Sequence, residues 1–416
     1  MSTHKHSLEM TPAEQEAAID AAKELAIEFD KVGLQADQEN ALQLSLVPLY
    51  KDAGLVDLCV PKKYGGKGGD IWTASQVSRE LAKGDASSAL AFNMHQTMVG
   101  IFRGLLDEDA AGRWFPQISA EKLIVCGPFS EDRAGLIGLA DTIAKPDGAG
   151  GWVISGQKTW GTLSEASDII AFNATIVDDD GVLPEDHMAH AMAEAVFLAR
   201  MDTPGISIKR TWDSMGMRGT GTQTVVFDNV EVGADAMGGN FRGGLFGQFE
   251  WAAMTFSGVY LGAQLKAFEA TREILRKKSL GATMEGKDVQ LKGLGYVQSA
   301  LGRMFVLCRQ SELVLQQVCE QFIEDDFAPW SSSFPQRFGA LEVAKLTATE
   351  NAIEVVDLGI RAVGGSAYRR GHVLERLYRD VRSGPFHPLT TDQIYDHAGR
   401  YELGLMDAPA QEPVPA

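Results

Sequence analysis

The chain has 416 residues, 45% of them hydrophobic and 23% charged, which excludes a wholly disordered protein and predicts two or three domains. Its 38 Lys and Arg face 56 Asp and Glu, and the formal net charge of −18 argues against binding to nucleic acid or to anionic membranes. There is no signal-peptide pattern, no apolar stretch of ~18 residues, and no disulfide or zinc spacing among the four cysteines. We therefore expect a cytoplasmic protein without a metal.

The first region, residues 1–122, is predicted to be an N-terminal helical domain. Thr11 to Glu14 combines a capping hydroxyl, a proline at the first helical position and a glutamate three residues after the cap. This pattern is a capping box, and apolar residues at helical spacing follow it. A second helix is predicted over 42–53, and the glycine-rich turn that starts at Pro61 ends before helices resume near Ile71.

The second region, residues 123–234, changes to the alternating pattern of β-strands. Short β-rich runs at 152–156, 168–174 and 224–227 are bounded by Gly, Asp and Asn, which predicts a middle antiparallel β domain. Acidic residues and two histidines occupy an insertion at 176–195. Because their spacing fits no calcium loop, we expect a solvated excursion rather than a metal site.

The third region, residues 235–405, is predicted to be a C-terminal four-helix bundle. Long helical patterns cover 248–278, 291–323 and 337–363, and long helices with few connections are typical of bundles. The proline-rich residues 406–416 are expected to form a mobile tail. The predicted fold class is therefore α+β, in the order helical domain, β domain, helical bundle.

Four segments in this order resemble motifs of the acyl-CoA dehydrogenase superfamily of flavoproteins. The segments are VPKKYGG at 60–66, GQKTWGT at 156–162, GMRGT at 216–220 with FDNVEV at 227–232, and VGGSAY at 363–368 with LERLYRD at 374–380. Each motif alone is weak, but together they match the predicted succession of helices and strands over nearly the whole chain. Two other segments depart from the family pattern, namely 127–135 and the basic motif at 276–281.

The resemblance implies a flavin, FAD or possibly FMN, held between the β domain and the bundle and often completed by a second subunit. Trp160, Gly161 and Thr162 match the family segment that covers the isoalloxazine ring and bonds near its N5. At Gly364 and Gly365 the backbone would approach the cofactor closely, which glycine permits because it lacks a Cβ. Two more positions match flavin contacts, Thr390 and, one residue out of register, Arg276.

The catalytic glutamate that most members of the family carry is missing. Pro388 occupies its position and cannot accept the proton that dehydrogenation of an acyl thioester releases. Some relatives place the glutamate on the first bundle helix, where this chain has Glu250. However, Glu250 is about two residues out of register, a turn of roughly 200° on a helix, so an ion-paired or solvated role is favoured.

Two histidines indicate a different reaction. Flavin monooxygenases of the same superfamily carry a histidine near the position of His387, and His95 matches another histidine of that branch. An imidazole can deprotonate or protonate a reacting group near neutral pH. For both residues the alternative is a hydrogen-bonded histidine without a chemical role.

The predicted function is a flavin-dependent oxygenase that acts on a small organic or acyl-thioester substrate, with His387 and His95 as acid–base candidates. An acyl-CoA dehydrogenase with a relocated base, Glu250, is one alternative, and a non-catalytic flavin-binding relative is another. The expected partners are a flavin reductase or an electron-transfer flavoprotein. The resemblance also implies a homodimer or homotetramer.

Overall fold

A computed structural model describes residues 9–132, 139–178, 180–241, 249–282, 284–324 and 334–405. The helical domain begins at the predicted capping box: the Thr11 hydroxyl accepts a hydrogen bond from the Glu14 amide at 3.3 Å, and the Glu14 carboxylate accepts one from the Thr11 amide at 2.6 Å. Five helices follow in this domain. They are α1 (Pro12–Glu39), α2 (Leu46–Asp52), α3 (Ile71–Gly84), α4 (Ala86–Leu105) and α5 (Glu108–Glu121).

The middle domain is one mostly antiparallel sheet of eight strands. The strands are β1 (Val125–Cys126), β2 (Ile143–Pro146), β3 (Trp152–Gly161), β4 (Ile169–Ile176), β5 (Glu194–Arg200), β6 (Ile206–Lys209), β7 (Gln223–Val232) and β8 (Met237–Asn240). Their order is β6-β7-β3-β2-β4-β5-β8, and β1 joins at β4. Only β1–β4 and β2–β4 pair in parallel. Buried Phe172, Phe197 and Phe227 fill one face of the sheet.

The insertion at 176–195 is more ordered than the sequence predicted. It contains a short helix, α6 (His187–Met192). The buried imidazole of His190 lies within hydrogen-bond distance of the Thr175 hydroxyl, at 2.9 Å, and of the Ala140 carbonyl, at 3.0 Å. These contacts attach the insertion to β4, so His190 has a structural role that its polar surroundings in the sequence did not reveal.

The C-terminal region is a helical bundle, as predicted. Its helices are α7 (Phe249–Lys277), α8 (Gly295–Glu324), α9 (Phe334–Val363), α10 (Val373–Asp380) and α11 (Thr391–Glu402). A hairpin of β9 (Ser279–Ala282) and β10 (Asp288–Gln290) joins α7 to α8, and a 3₁₀ segment, Val381–Phe386, precedes α11. The predicted tail, 406–416, lies outside the described residues. None of the helices in the described ranges is long and apolar enough to cross a membrane.

Two glycines bring the bundle against the helical domain. A Cβ at Gly258 would lie 2.3 Å from the Ser75 carbonyl oxygen, and one at Gly262 would lie 2.3 Å from the Arg79 carbonyl oxygen. Because the two glycines are four residues apart on α7, they form one smooth stripe that contacts α3 at backbone distance. This packing joins the first and third regions. The order of the elements along the chain confirms the predicted succession of helical domain, β domain and bundle.

Candidate active site

A cavity of about 600 Å³ lies where the three regions meet, a volume typical of small-molecule sites. Its wall combines residues from all three regions, and most of them are apolar. They include Leu90, Met94, Thr97 and Met98 of α4, residues 127–131, Trp160 and Thr162, Trp212 and residues 214–217, Ala252 and Phe256 of α7, and Arg379, Arg382, Ser383, residues 386–390 and Gln393.

The end of β3 supplies an aromatic ring and a hydroxyl to the cavity. Trp160 has a left-handed backbone, φ 58°, and its side chain is 63% exposed. It stands edge to face with Trp212 at a ring distance of 5.4 Å. Gly161, between Trp160 and Thr162, does not line the cavity, because it packs so closely on β7 that a Cβ would lie 2.8 Å from the Gln223 carbonyl.

A chain of threonine hydroxyls gives Thr162 a defined polarity. Thr220 donates to the Met217 carbonyl at 2.9 Å, and its oxygen lies 2.7 Å from that of Thr222, which lies 2.9 Å from that of Thr162. Since a carbonyl can only accept, the protons run from Thr162 to Thr222 to Thr220. Because the Thr162 hydroxyl proton is used in this chain, its oxygen can only accept a further hydrogen bond. A ligand that binds beside Thr162 should therefore present an N–H donor to it.

His387 presents an imidazole to the cavity from the start of the segment that leads into α11. Its ring stacks on Phe256 at 4.5 Å and lies 5.7 Å from the ring of Tyr260. The Nε2 atom is shielded from solvent and has no hydrogen-bond partner within the described chain. Burial, assisted by the positive charge of Lys345, lowers the pKa of His387 to about 3. The imidazole is therefore neutral at physiological pH.

The segments on either side of His387 present further polar groups. The Ser383 hydroxyl donates to the Asp380 carbonyl at 2.7 Å, so Tyr260, also at 2.7 Å, is the donor toward Ser383. On the other side, Thr390 and Gln393 form a second capping box at the start of α11, and both line the cavity. Thr390, which the sequence predicted as a flavin contact, thus lies in this part of the cavity wall.

His95 and Glu250, the two other predicted catalytic residues, do not line the cavity in the described chain. His95 is fully buried, its Nδ1 accepts from the Val125 amide at 3.0 Å, and its Nε2 therefore donates to the Val56 carbonyl at 2.7 Å. Burial lowers its pKa to about 4. Glu250 is buried on α7, two residues before the cavity-lining Ala252. Two residues turn a helix by about 200°, so the Glu250 side chain leaves α7 on nearly the opposite side from Ala252 and the cavity.

Arg276, Gly364 and Gly365 lie together at another end of the bundle and do not line the cavity either. Arg276 pairs with Glu273 at 3.0 Å, and the nearby Lys278 donates to the Val363 carbonyl at 2.7 Å. The last turn of α7 thereby contacts the turn after α9. Of the seven predicted cofactor residues, Trp160, Thr162 and Thr390 thus line the cavity. Gly161 adjoins the cavity without lining it, and Arg276, Gly364 and Gly365 lie elsewhere on the same chain.

Of the charges that line the cavity in the described chain, only that of Arg382 is unpaired. Glu131 accepts from the buried Lys158 at 2.5 Å and from two backbone amides. Burial would raise the pKa of Glu131, but the charge and hydrogen bonds of Lys158 hold it below its usual value. Arg379 pairs with Asp37 at 2.7 Å, whereas Arg382 stacks 4.5 Å above the ring of Tyr378. No group of three or more potential metal ligands occurs in the described ranges.

The sequence did not predict several residues of the cavity wall. Trp212, residues 214–217, Ser383 and Arg382 lie in loops or in a 3₁₀ segment, where no periodic pattern marks the side that faces inward. Met94 directly precedes His95 in the sequence, so the resemblance at His95 indicates this part of α4 although His95 itself does not line the cavity. The altered loop at 127–135 contributes residues 127–131 to the wall, whereas residues 133–135 lie outside the described part of the chain.

Three family models match the chain in the order of its three regions. Residues 12–122 match the acyl-CoA dehydrogenase N-terminal domain, 130–230 its middle domain and 254–391 its C-terminal domain. L-evernosamine nitrososynthase of a Micromonospora species is 29% identical and aligns over 89% of this chain and 86% of its own length. Dibenzothiophene monooxygenase of Rhodococcus qingshengii is 25% identical and aligns over 94% of this chain and 91% of its own length.

The fold is shared with a solved structure of similar length. FMN-bound TdsC from Paenibacillus sp. A11-2 superimposes with a TM-score of 0.82 at 22% sequence identity, covering 95% of this chain and 99% of that one. The agreement extends over both helical regions and the sheet between them.

Proposed function

Because the chain belongs to the acyl-CoA dehydrogenase family, as its motifs predicted, we propose that it is a flavin-dependent oxygenase of a small organic or acyl-thioester substrate. Its relatives are oxidoreductases, and the similarity to a nitrososynthase and to dibenzothiophene monooxygenase supports the oxygenase branch. The source of reduced flavin would be a flavin reductase.

The residues of the cavity fit a flavin ring. Trp160 offers an aromatic face at the cavity, and the apolar wall suits the flat, mostly apolar isoalloxazine. The acceptor polarity of Thr162 suits an N–H such as that on N5 of a reduced flavin. When bound, the flavin would supply the electron transfer and the reaction with oxygen. Either FMN or FAD fits this chemistry, and the FMN in TdsC favours FMN.

We infer that two copies of the chain complete each cofactor site. Arg276, Gly364 and Gly365 match cofactor positions of the family but lie away from the cavity of their own chain. A Cβ at Gly364 or at Gly365 would meet no other atom within 4 Å, so this turn is open on the surface of one chain. In a symmetric oligomer, the turn of one subunit can reach the cofactor in the cavity of another.

The observation that carries the oxygenase proposal is the kind of group that faces the cavity. Desaturation of an acyl thioester needs a free base near the α-carbon, but the one carboxylate of the described wall, Glu131, is held by Lys158. The group available for proton transfer is the neutral imidazole of His387, in a wall that is mostly apolar. His387 can accept a proton from a substrate hydroxyl or amine, or pass one to a reacting oxygen.

Two measurements separate this proposal from its alternatives. We expect the protein loaded with FMN or FAD to keep its oxidised flavin spectrum under anaerobic conditions with a panel of acyl-CoA thioesters, and to consume oxygen once a flavin reductase supplies reduced flavin. Bleaching by an acyl-CoA without reductase would support the dehydrogenase alternative, with a base other than the Glu250 carboxylate, which does not line the cavity. Response to neither would indicate a non-catalytic relative.

His387→Gln is expected to lower oxygen-dependent substrate turnover by about 10²- to 10⁴-fold, the range of general acid–base catalysis. The flavin affinity should change little, because the glutamine retains a side chain of similar volume in the wall. His187→Gln, at an exposed position of the insertion, is the matched control and should leave turnover unchanged. Full turnover by His387→Gln would remove this histidine from the mechanism.

A further inference from the structure

Arg382 is a charged residue of the cavity wall for which the proposed function so far has no role. It lies in the 3₁₀ segment Val381–Phe386, between α10 and α11, and lines the cavity. Within the described chain its guanidinium has no ion pair, and its contact is with the ring of Tyr378, whose centre lies 4.5 Å from the Arg382 Cζ.

The contact with Tyr378 restricts the guanidinium without using its hydrogen-bond donors. A cation–π contact depends on the positive charge and the aromatic face, so the five N–H groups of the arginine remain able to donate. Tyr378 is four residues before Arg382, in the last turn of α10, so the contact is local and needs no distant partner. The donors of Arg382 are therefore available to a ligand in the cavity.

The other charged groups of the wall are satisfied by protein partners. The guanidinium of Arg379 donates to both carboxylate oxygens of Asp37, each at 2.7 Å, and to Glu375 at 2.6 Å. Glu131, the carboxylate of the described wall, is paired with a buried lysine. The described wall thus presents one positive charge without a counter-ion, that of Arg382, in a cavity that is otherwise mostly apolar.

The 3₁₀ segment limits the distance between Arg382 and His387. Because a 3₁₀ helix rises ~2.0 Å per residue, the five residues from one to the other place their backbones at most about 10 Å apart. Phe386, which lies between them, also lines the cavity and is 77% exposed. A molecule of one or two rings can therefore contact Arg382 at one end and His387 at the other, with apolar surface in between.

An unpaired guanidinium in an apolar cavity favours an anionic ligand. Its planar donors match a carboxylate in a bidentate geometry, and the attraction is stronger in such surroundings than in water. The protein as a whole does not attract anions, since its formal net charge is −18. A carboxylate that binds here therefore depends on local positive charge.

We propose that Arg382 determines the substrate class of this site by binding the carboxylate of a small organic acid whose other end lies at His387. The inference rests on the proposed oxygenase function and narrows its substrate from a small organic or acyl-thioester compound to a small acid. The phosphate of FMN is a second source of an anionic group, and the experiment separates the two.

The test compares acids with their uncharged amides on the FMN-loaded full chain, by calorimetric titration at pH 7, where the acids are ionised. The probes are benzoate with benzamide and 2-naphthoate with 2-naphthamide. We expect at least one acid to bind at least about tenfold more tightly than its amide. Arg382→Gln should remove this preference and leave the amide affinities unchanged.

Two further variants define the role of the charge. Arg382→Lys should retain part of the preference, since a lysine keeps the charge but lacks the planar donors. The matched control is Arg361→Gln, on an exposed arginine of α9 that pairs with Asp357 at 2.7 Å, and it should bind both classes like the wild type. Should Arg382→Gln fail to fold, Arg382→Met, which retains an apolar stem beside Tyr378, replaces it with the same expected loss.

Three results would overturn the proposal. They are equal affinities for acid and amide in the wild type, no binding of either acid at millimolar concentration, and a preference for the acid that persists in Arg382→Gln.

The flavin phosphate is tested by fluorescence titration with FMN and with riboflavin, which lacks the phosphate. We expect Arg382→Gln to change neither affinity. A loss of FMN affinity with riboflavin affinity unchanged would assign Arg382 to the flavin phosphate and overturn its role toward the substrate. Because none of these titrations requires oxygen or turnover, their failure is distinguishable from a failure of the oxygenase function.

Discussion

Asp380 shows how one buried carboxyl group supports the cavity wall from behind. Its side chain is 1% exposed, and Oδ1 accepts a hydrogen bond from the Met217 amide at 2.6 Å. This bond attaches the loop that carries residues 214–217 to the end of α10. Burial, together with the nearby negative charge of Asp85, raises the pKa of Asp380 to about 7. The carboxyl group is therefore protonated over part of the physiological range.

The raised pKa predicts a stability that depends on pH. The folded protein binds a proton at Asp380 that the unfolded chain releases above about pH 4, so the free energy of unfolding should fall as pH rises from about 4 to 7. Asp380→Asn keeps an acceptor for Met217 but cannot ionise. In urea unfolding it should be as stable as the wild type near pH 4 and more stable by a few kcal/mol near pH 8. Parallel stability curves would contradict the assignment.

For single residues, the sequence predicted which side-chain types could transfer a proton more readily than which of them line the cavity. The resemblance selected both His387 and His95, but the structure places only the imidazole of His387 at the cavity, whereas backbone groups occupy both nitrogens of His95. The helical register of Glu250 predicted that it points away, because register is a local property. No local pattern distinguished the two histidines, since the partners of His95 are 39 and 30 residues away in the chain.

Two helices of this protein, α1 and α11, begin with a capping box, but only the capping box of α11 borders the cavity. The capping box of α1 starts at Thr11 and lies at the surface, far along the chain from the site. That of α11 starts at Thr390, and both of its side chains line the cavity. Helix capping therefore determines the position of two cavity residues as well as the start of α11.

The pair of caps provides a matched experiment. Thr11→Ala and Thr390→Ala should each reduce the free energy of unfolding by about 1 kcal/mol, because each leaves a helix N-terminal amide without its side-chain acceptor. Only Thr390→Ala is expected to weaken FMN binding, measured by fluorescence titration, since only that cap borders the cavity. Equal FMN affinities for the two variants would contradict a cofactor role for Thr390.

The surface of the whole molecule supports an assembly of several copies. Val306 and Leu313 are 51% and 55% exposed on α8 and, seven residues apart, share one helix face. Together with the separation of Arg276, Gly364 and Gly365 from the cavity, this apolar face fits a bundle that packs against a second copy. A symmetric oligomer would bury the face and complete the cofactor site at the same time.

We predict that the double substitution Val306→Glu and Leu313→Glu yields smaller particles than the wild type in light scattering, because it would place charges on the face that the proposed oligomer buries. If the oligomer completes the cofactor site, FMN affinity should fall at least about tenfold, equivalent to ~1.4 kcal/mol. The control is Val182→Glu, at a 63% exposed position of the insertion. An unchanged particle mass in the double variant would place the subunit contact elsewhere.

The sequence by itself determined the order of helices and strands, the cap of α1 and the family, because helical and strand periodicity, caps and motifs are properties of neighbouring residues. Only the tertiary structure decided which side chains meet. It brought His387 onto Phe256 and paired Glu131 with Lys158. These contacts join residues far apart in the chain, and their burial and charge depend on packing between helices and sheet, which no local pattern encodes.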